Sequence, residues 1–362
     1  MKKLNTTILA IGDTADYDSY NKLNGEWEFI TARGFDYKTV HYKVFLEKKI
    51  PEISTEKVII FIFFPFAYWN KHVEHKHYRG VYGNTTFYKK FGSFCEKIVE
   101  TVKECLPDKK IFFINDPRVS SLYRDKSLVM RALHKAGVPV SPITRTRSVR
   151  VVKRLLENGR KFFIKPKCGS MGKGITYLEL GNWETNFSFK KGKILSRKSD
   201  KGWHFREVTN NTRFLRQLLQ QNVFIEDAIE PLHIKGDKVD FRIYAFFDKI
   251  LYVYPRRNSM DSVTTNISQG GRGDPELLDI IPKKLLARIK RTVIKTNKAL
   301  GLYFTGMDIV IDNTLKNLYI IDVNMFPGFP KRNTFNLAWD LILALRRMER
   351  KGRLHYKKAE LL

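Results

Sequence analysis

Two aspartates break apolar runs late in the chain, where a carboxylate is costly unless something offsets it. Asp308 stands in TGMDIVI, and Asp322 and Asn324 stand in YIIDVNMFPGF. Strand alternation puts Asp322 and Asn324 on one face. A turn at Asp312-Asn313 lays the Asp308 segment antiparallel beside them. Acids inside apolar strands persist when paired or metal-bound. Two carboxylates and an amide oxygen are hard donors, the set that Mg²⁺ takes while keeping sites for phosphate and water.

Three further constellations precede this one. Lys165 is followed by KCGSMGKG over 167–174, with glycines at 169, 172 and 174. Backbone amides of such a loop approach an anion closely, and Lys165 and Lys173 add positive charge. The run lacks the spacing of a Walker A loop and joins strand to strand. A plain glycine-rich hairpin turn would use the same letters. Next, VFIEDAIEPLHIKGDKVD over 223–240 reads as an apolar strand ending in an acidic hinge. Glu226, with backbone groups at Ala228 and Ile229, could read an adenine, and Asp240 could accept from ribose hydroxyls. An edge strand with solvated acids is the bland alternative. Last, Arg242 in DFRIYAF, Arg256-Arg257 in YPRRNS and Asn266 in SVTTNISQGGRG supply guanidinium and amide groups. These suit phosphoryl oxygens and carboxylates. Gly270-Gly271 allow a loop that closes over a substrate. A surface arginine cluster would look alike.

The elements that must position these groups follow from periodicity. Segments 6–11, 58–64 and 110–114 read as strands of an open α/β unit, with a helix over 88–105 stopped by Pro107-Asp108. A helix over 127–136 closes at Gly137, and Ser148 caps another reaching Glu157. Strands at 161–165 and 174–180 flank the glycine loop. Residues 181–211 read as an inserted pair of strands, followed by a helix over 212–221. The third segment begins at Val223 and carries strands at 239–247, 250–254, 307–311 and 318–323. A basic amphipathic helix spans 282–300 and a last helix 334–350. The expected division is 1–122, 123–222, 223–350 and a basic tail 351–362.

The 362 residues carry 66 Lys and Arg against 37 Asp and Glu, a formal charge of +29. Such a field attracts nucleotides, phosphorylated metabolites, acidic peptides or nucleic acid without choosing among them. A generally basic surface explains it equally. Hydrophobic residues make up 43% of the chain and aromatic ones 13%. That is the composition of a packed globular protein, not a disordered one. Three cysteines without a CxxC pair make a disulfide framework unexpected and favour a reducing compartment. The early Gly12-Asp13 interrupts any signal peptide, and the apolar run 58–69 is too short to span a bilayer. The expected location is cytoplasmic, with no membrane partner. No nucleic-acid module signature is present.

Taken in order, these pieces resemble the ATP-grasp superfamily over about 125–330. They are similar above all to the RimK-type glutamate ligases and the endospore-associated YheC/YheD group. The resemblance implies an α/β (α+β) fold of three subdomains, with the nucleotide between two α+β lobes. It implies ATP and Mg²⁺, or Mn²⁺ in its place, as cofactors. Lys126 and Lys165 would contact the nucleotide, and Gly169, Ser170, Met171, Gly172, Lys173 and Gly174 would cover the triphosphate. Glu226, Ala228 and Ile229 would hold adenine, and Asp240 ribose. Asp308, Asp322 and Asn324 would bind metal, with Asn266 beside the phosphates. Arg256 would stabilise the transferred phosphoryl group, supported by Arg242 and Arg257.

The activity so implied joins a carboxylate to an amine through an acyl phosphate, releasing ADP and phosphate. The partners would be a small-molecule acid and an amine, an amino acid or peptide among them, and similar enzymes are commonly dimers or tetramers. One departure stands out: peptide-forming members carry Glu where this chain has Asp322. Asp followed by N-x-F-P-G resembles the inositol-phosphate kinases of the same fold, so a kinase acting on a polyanionic metabolite is the alternative. A non-catalytic polyanion-binding protein is the third reading, resting on the basic helix. His72, His75 and His77 have no standard metal-ligand spacing and read as a polar loop. The aromatic and basic run 78–91 reads as surface and helix packing, or as a contributor to substrate binding.

Overall fold

The computed structural model describes residues 5–16, 18–73, 81, 83–195, 203–331 and 333–362. Its first sheet grows from apolar segments buried on both faces. Strands β1 (Thr6–Ile11), β2 (Asp36–Val40), β3 (Lys57–Ile62) and β4 (Lys110–Phe113) pair in parallel, in the order β4-β3-β1-β2. Near-continuous hydrophobic strands are what two-sided burial requires. β2 has no counterpart in the sequence reading, because DYKTV buries only Val40 as an edge strand. One face is covered by the helix Thr85–Cys105, whose Phe87, Phe91, Phe94 and Ile98 pack on Leu9, Ile11, Val58 and Ile60. It starts at Thr85 rather than residue 88, because Asn84 caps it by accepting the Phe87 N–H at 3.1 Å. The other face is covered by the helix Leu337–Arg350, through Leu341, Ile342 and Leu345.

The second sheet is antiparallel and holds the glycine loop. It contains β5 (Ile143–Thr144), β6 (Phe162–Pro166), β7 (Thr176–Glu179), β8 (Asn182–Thr185), β11 (Arg206–Glu207) and β12 (Val223–Asp227), ordered β11-β8-β7-β6-β12-β5. Strands β9 (Ser188–Lys190) and β10 (Lys193–Leu195) form the inserted two-stranded hairpin. β12 pairs with β6, so the chain changes sheets after Asp227 and not at the expected 222/223 boundary. The helix Val149–Glu157, capped by Ser148, and the helix Thr212–Leu219 bury Val152, Leu156, Phe214 and Leu218 against Phe162, Ile164 and Ile225.

The third sheet is also antiparallel: β13 (Leu232–Ile234), β14 (Asp237–Phe246), β15 (Lys249–Ser259), β16 (Arg272–Gly273), β17 (Phe304–Ile311) and β18 (Leu318–Asn324). Its order is β16-β15-β14-β17-β18, with β13 on β14. The basic helix Lys283–Leu300 is amphipathic as expected and buries Leu285, Ile289 and Val293 against Ile243, Met307 and Ile309. Asn115, just beyond β4, binds the first sheet to the third. Its amide donates to the Phe304 and Met325 carbonyls at 2.6 and 3.1 Å and accepts from the Tyr303 and Phe304 N–H groups at 2.9 and 3.1 Å. Every hydrogen-bonding position of that buried amide is filled.

The segment expected as a basic tail is instead built in. β19 (Lys357–Lys358) pairs antiparallel with the free edge of β4. No helix among the described residues is long and apolar enough to cross a membrane.

Candidate functional site

One cleft, of about 760 Å³, runs between the second and third sheets. The third-sheet wall is a row of charged side chains set by strand register. Arg256 on β15 stands opposite Asp240 on β14. Arg242, two residues along β14 and so on the same face, stands opposite Asp308 on β17. Asp308 in turn stands opposite Asp322 on β18. Arg256 grips Asp240 with two bonds, Nε to Oδ1 at 2.8 Å and Nη2 to Oδ2 at 2.5 Å, and reaches Asp308 Oδ1 at 3.0 Å. Arg242 Nε lies 2.7 Å from the same Asp308 oxygen. Lys126, opening the helix Lys126–Lys135, closes the row by pairing with Asp322.

Burial decides how these groups titrate. Burial raises the Asp308 carboxyl more than Arg242 and Arg256 lower it. At Asp322 burial also pushes upward, but Lys126 outweighs it and the carboxyl sits below its usual range. Burial of Arg256 disfavours its charge, and Asp240 and Asp308 more than restore it.

The second-sheet wall carries Phe163 and Lys165, two apart on β6 and therefore on one face. Lys165 pairs with Glu226 of β12. That carboxylate is only 2% exposed and its second oxygen, Oε2, has no hydrogen bond. Burial raises Glu226 against the pull of Lys165, while Glu226, Asp322 and Asp308 together keep Lys165 protonated against its own burial. Phe163 and Tyr177 form an aromatic corner, ring centroids 5.3 Å apart, beside Lys161, Ala228 and Ile229.

The glycine loop joins β6 to β7. Met171, Gly172 and Gly174 have φ of 57°, 68° and 75°. A Cβ on Gly174 would lie 2.7 Å from both Phe187 and Pro166, so glycine is required there by conformation and by space. Asn186, buried beneath, anchors the closing half of the turn: it accepts from the Ile175 N–H at 2.8 Å and donates to the Gly172 carbonyl at 2.6 Å. Across the mouth, Ser268 Oγ donates to the Met171 carbonyl at 3.1 Å, and Asn266 faces Gly172.

Of the residues expected at the site, Lys126, Lys165, Gly169 to Lys173, Ala228, Ile229, Asp240, Arg242, Arg256, Asn266, Asp308, Asp322 and Asn324 line the cleft together. Three expectations change. Arg257 is adjacent to Arg256 on a strand, so it points to the opposite face. There it pairs with Asp237 at 3.2 Å and Asp274 at 3.1 Å. Glu226 spends its carboxylate on Lys165 and is not among the lining residues. Asp240 is committed to Arg256 through both oxygens, and of the Ala228 backbone groups the N–H already donates to the Lys161 carbonyl at 2.9 Å.

Sequence reasoning missed Arg124, Lys161, Phe163, Tyr177 and Lys238, all of which line the cleft. Alternation from Lys165 back along β6 would have found Phe163 and Lys161. His72 lies tilted beside Tyr68, with ring centroids 4.7 Å apart. His75 and His77 lie outside the described residues, as does part of the run 78–91. Among the described residues no three His, Cys, Asp or Glu side chains cluster as metal ligands. The expected set has two carboxylates and an amide. Asp308 Oδ1 is buried and, although flanked by two arginines, makes no aligned hydrogen bond. Asn324 Oδ1 accepts from the Phe326 N–H at 3.0 Å and keeps a second lone pair. This donor set suits a hard cation.

Comparison with known proteins identifies the family and the fold. A family model described as YheC/D like ATP-grasp matches residues 115–345. The chain is 23% identical over 257 residues to a probable alpha-L-glutamate ligase of Haemophilus influenzae, covering 70% of this chain and 72% of that protein. It is 30% identical over 95 residues to inositol-tetrakisphosphate 1-kinase 1 of Oryza sativa, 26% of either chain, and so spans about a quarter of that kinase's length. Among solved structures it is similar to a Chryseobacterium gregarium RiPP-associated ATP-grasp ligase in complex with ADP and a leader and core peptide. That likeness has a TM-score of 0.57 and 15% identity, over 94% of this chain and 97% of the other. At that identity it shows the fold alone, and the fold is ATP-grasp.

Proposed function

The chain belongs to the YheC/D-like ATP-grasp family, and from that premise we propose that it is an ATP-dependent carboxylate–amine ligase. The observation that carries the reading is the charged row Lys126–Asp322–Asp308–Arg242–Arg256–Asp240 lining one cleft with the glycine loop. Transfer of a phosphoryl group needs alignment and charge neutralisation more than a protein nucleophile.

In this reading the adenine lies in the corner of Phe163, Tyr177, Ala228 and Ile229. Lys165 and Lys126 contact the phosphates, and the loop 169–174 covers them, meeting Asn266 and Ser268. Glu226 holds Lys165 in place, and Asp240 orients Arg256. Asp308, Asp322 and Asn324 would hold Mg²⁺, which when bound neutralises phosphoryl oxygens. Arg256 and Arg242 face the transferred group. A carboxylate oxygen of the acid substrate attacks the γ-phosphorus; the bond to the β–γ bridging oxygen breaks, and ADP leaves with that electron pair. A neutral amine then attacks the acyl carbon, the C–O bond to phosphate breaks, and the ammonium proton is lost to solvent. Closure of the two loops limits water attack on the acyl phosphate. The free thiols of Cys95, Cys105 and Cys168 accord with a reducing compartment such as the cytoplasm.

A second reading, a kinase, is favoured by Asp322 and by the local similarity to the rice inositol-tetrakisphosphate kinase. One experiment separates the two. Purified protein is incubated with MgATP and pools of amino acids, peptides and inositol phosphates, with hydroxylamine present to trap an acyl phosphate as hydroxamate. The ligase reading expects ADP, free phosphate, a condensed product and a hydroxamate. A product heavier by one phosphoryl group, with no hydroxamate, refutes it.

A further inference from the structure

Arg124 and Lys238 line the cleft without an ion pair to a described residue, but Lys238 donates instead to the Ser262 carbonyl. Lys126, Lys165, Arg242 and Arg256 are each paired with a carboxylate of the chain itself. Arg124 lines the same cleft and forms no ion pair with any described residue; its Nε is buried without a hydrogen bond. A guanidinium that lines a cleft without a carboxylate of the chain beside it has its charge available to an incoming anion.

The side chain is nevertheless held. Its Cζ lies 5.9 Å from the ring centre of Phe64 and 5.5 Å from that of Phe87. Both distances are within cation–π range. Its backbone is fixed on either side: the Arg124 N–H donates to the Ser121 carbonyl at 3.2 Å, and the Lys126 N–H donates to the Lys167 carbonyl at 2.8 Å. Phe64 also packs edge-on against Phe326, centroids 5.9 Å apart, two residues beyond Asn324. Arg124 is thus preorganised between the first sheet, the start of the glycine loop and the end of β18.

Its place along the cleft indicates what it binds. Lys165 lies beside the aromatic corner of Phe163 and Tyr177 on the second sheet, whereas Arg124 is held against Phe64 and Phe87 on the side of the first sheet. Phe64 lies just past the carboxyl end of β3. Open parallel sheets receive ligands outside their strands' carboxyl ends. We propose that Arg124 receives an anionic group, carboxylate or phosphate, of the substrate that is not ATP, and so makes the enzyme selective for an anionic co-substrate. This rests on the nucleotide-cleft reading above.

The test uses the full chain saturated with the magnesium complex of AMPPNP, so that the triphosphate positions are filled. Inorganic phosphate and succinate are then titrated by calorimetry in low-chloride buffer. The expected result is a second anion site in the wild type. Arg124→Gln should weaken it about ten- to a hundredfold while AMPPNP affinity stays within about twofold, and Arg124→Lys should fall between. Tighter phosphate than succinate identifies a phosphorylated co-substrate, and the reverse a carboxylated one. Equal loss of AMPPNP and anion affinity, an unchanged anion affinity in Arg124→Gln, or no anion site in the wild type each overturns the assignment. Failure of the wild type to bind AMPPNP at all strikes instead at the nucleotide cleft itself.

Discussion

Replacing Lys165 by methionine keeps a long apolar stem and removes the charge that Glu226 faces. Glu226 is 2% exposed, and its Oε2 already lacks a hydrogen bond, so the mutant buries a carboxylate with no direct partner. Leaving one charge of a buried pair uncompensated costs roughly 3–5 kcal/mol. Protonation caps that cost. The unshifted carboxyl value is 4.5. Each pH unit above it is worth ~1.4 kcal/mol, so neutralising Glu226 near neutrality costs at most ~3.5 kcal/mol. The sign follows from linkage. Burial raises the folded-state value of Glu226 above the unfolded one, so the folded state binds the proton more tightly. Stability then falls as pH rises from the unfolded value toward the folded one, and acid restores it. Urea unfolding from about pH 5 to 8 would compare Lys165→Met with the double variant Lys165→Met/Glu226→Gln. The single variant is expected to be less stable than the double by ~2–3 kcal/mol near neutrality, a gap shrinking by ~1.4 kcal/mol per unit toward pH 5. A gap that ignores pH, or a single variant as stable as wild type at the alkaline end, would refute the reasoning.

Other outcomes follow from the same geometry. Asp308→Asn should lower ATP-dependent ADP formation by about a thousandfold or more, measured by coupled assay, with an unchanged circular dichroism spectrum because Arg256 keeps Asp240. Asn186→Ala frees the closing half of the glycine turn and should cost ~1–3 kcal/mol in urea unfolding, with the KM for ATP raised more than kcat is lowered. Gly174→Ala must adopt a φ of 75° and push against Phe187 and Pro166. A loss of at least ~1–3 kcal/mol is expected, seen as a lower urea midpoint and weaker AMPPNP binding.

The parts of the site that could be read from the sequence are those where a residue type conflicts with its surroundings. Asp308 and Asp322 are conspicuous as acids in apolar strands, and register sets them side by side. Gly174 is conspicuous within a strand-to-strand turn. Pairing is harder to read. Glu226 and Lys165 are far apart in sequence, and only the β6–β12 register brings their side chains together, so a hinge acid and a lysine counterion look alike in one sequence. Arg256 and Arg257 read as one cluster, although strand alternation sends them to opposite faces. β2 escapes notice because an edge strand with one buried position has no hydrophobic signature. Arg124 gives no motif: its setting comes from Phe64 and Phe87, in elements remote along the chain.

The first sheet is finished by residues far downstream of the strands it is built on. β19 closes the β4 edge, the Ala359 N–H donates to the Lys109 carbonyl at 3.1 Å, and Thr6 Oγ1 donates to Glu349 Oε1 at 2.8 Å. Domains usually fold as they emerge, amino end first. Here β4 must wait, its edge open to pairing with a neighbouring nascent chain, until residues 357–358 have left the exit tunnel. Synthesis therefore leaves that edge unpaired while the whole stretch between β4 and β19 is made, and slow translation of that stretch would lengthen the exposure.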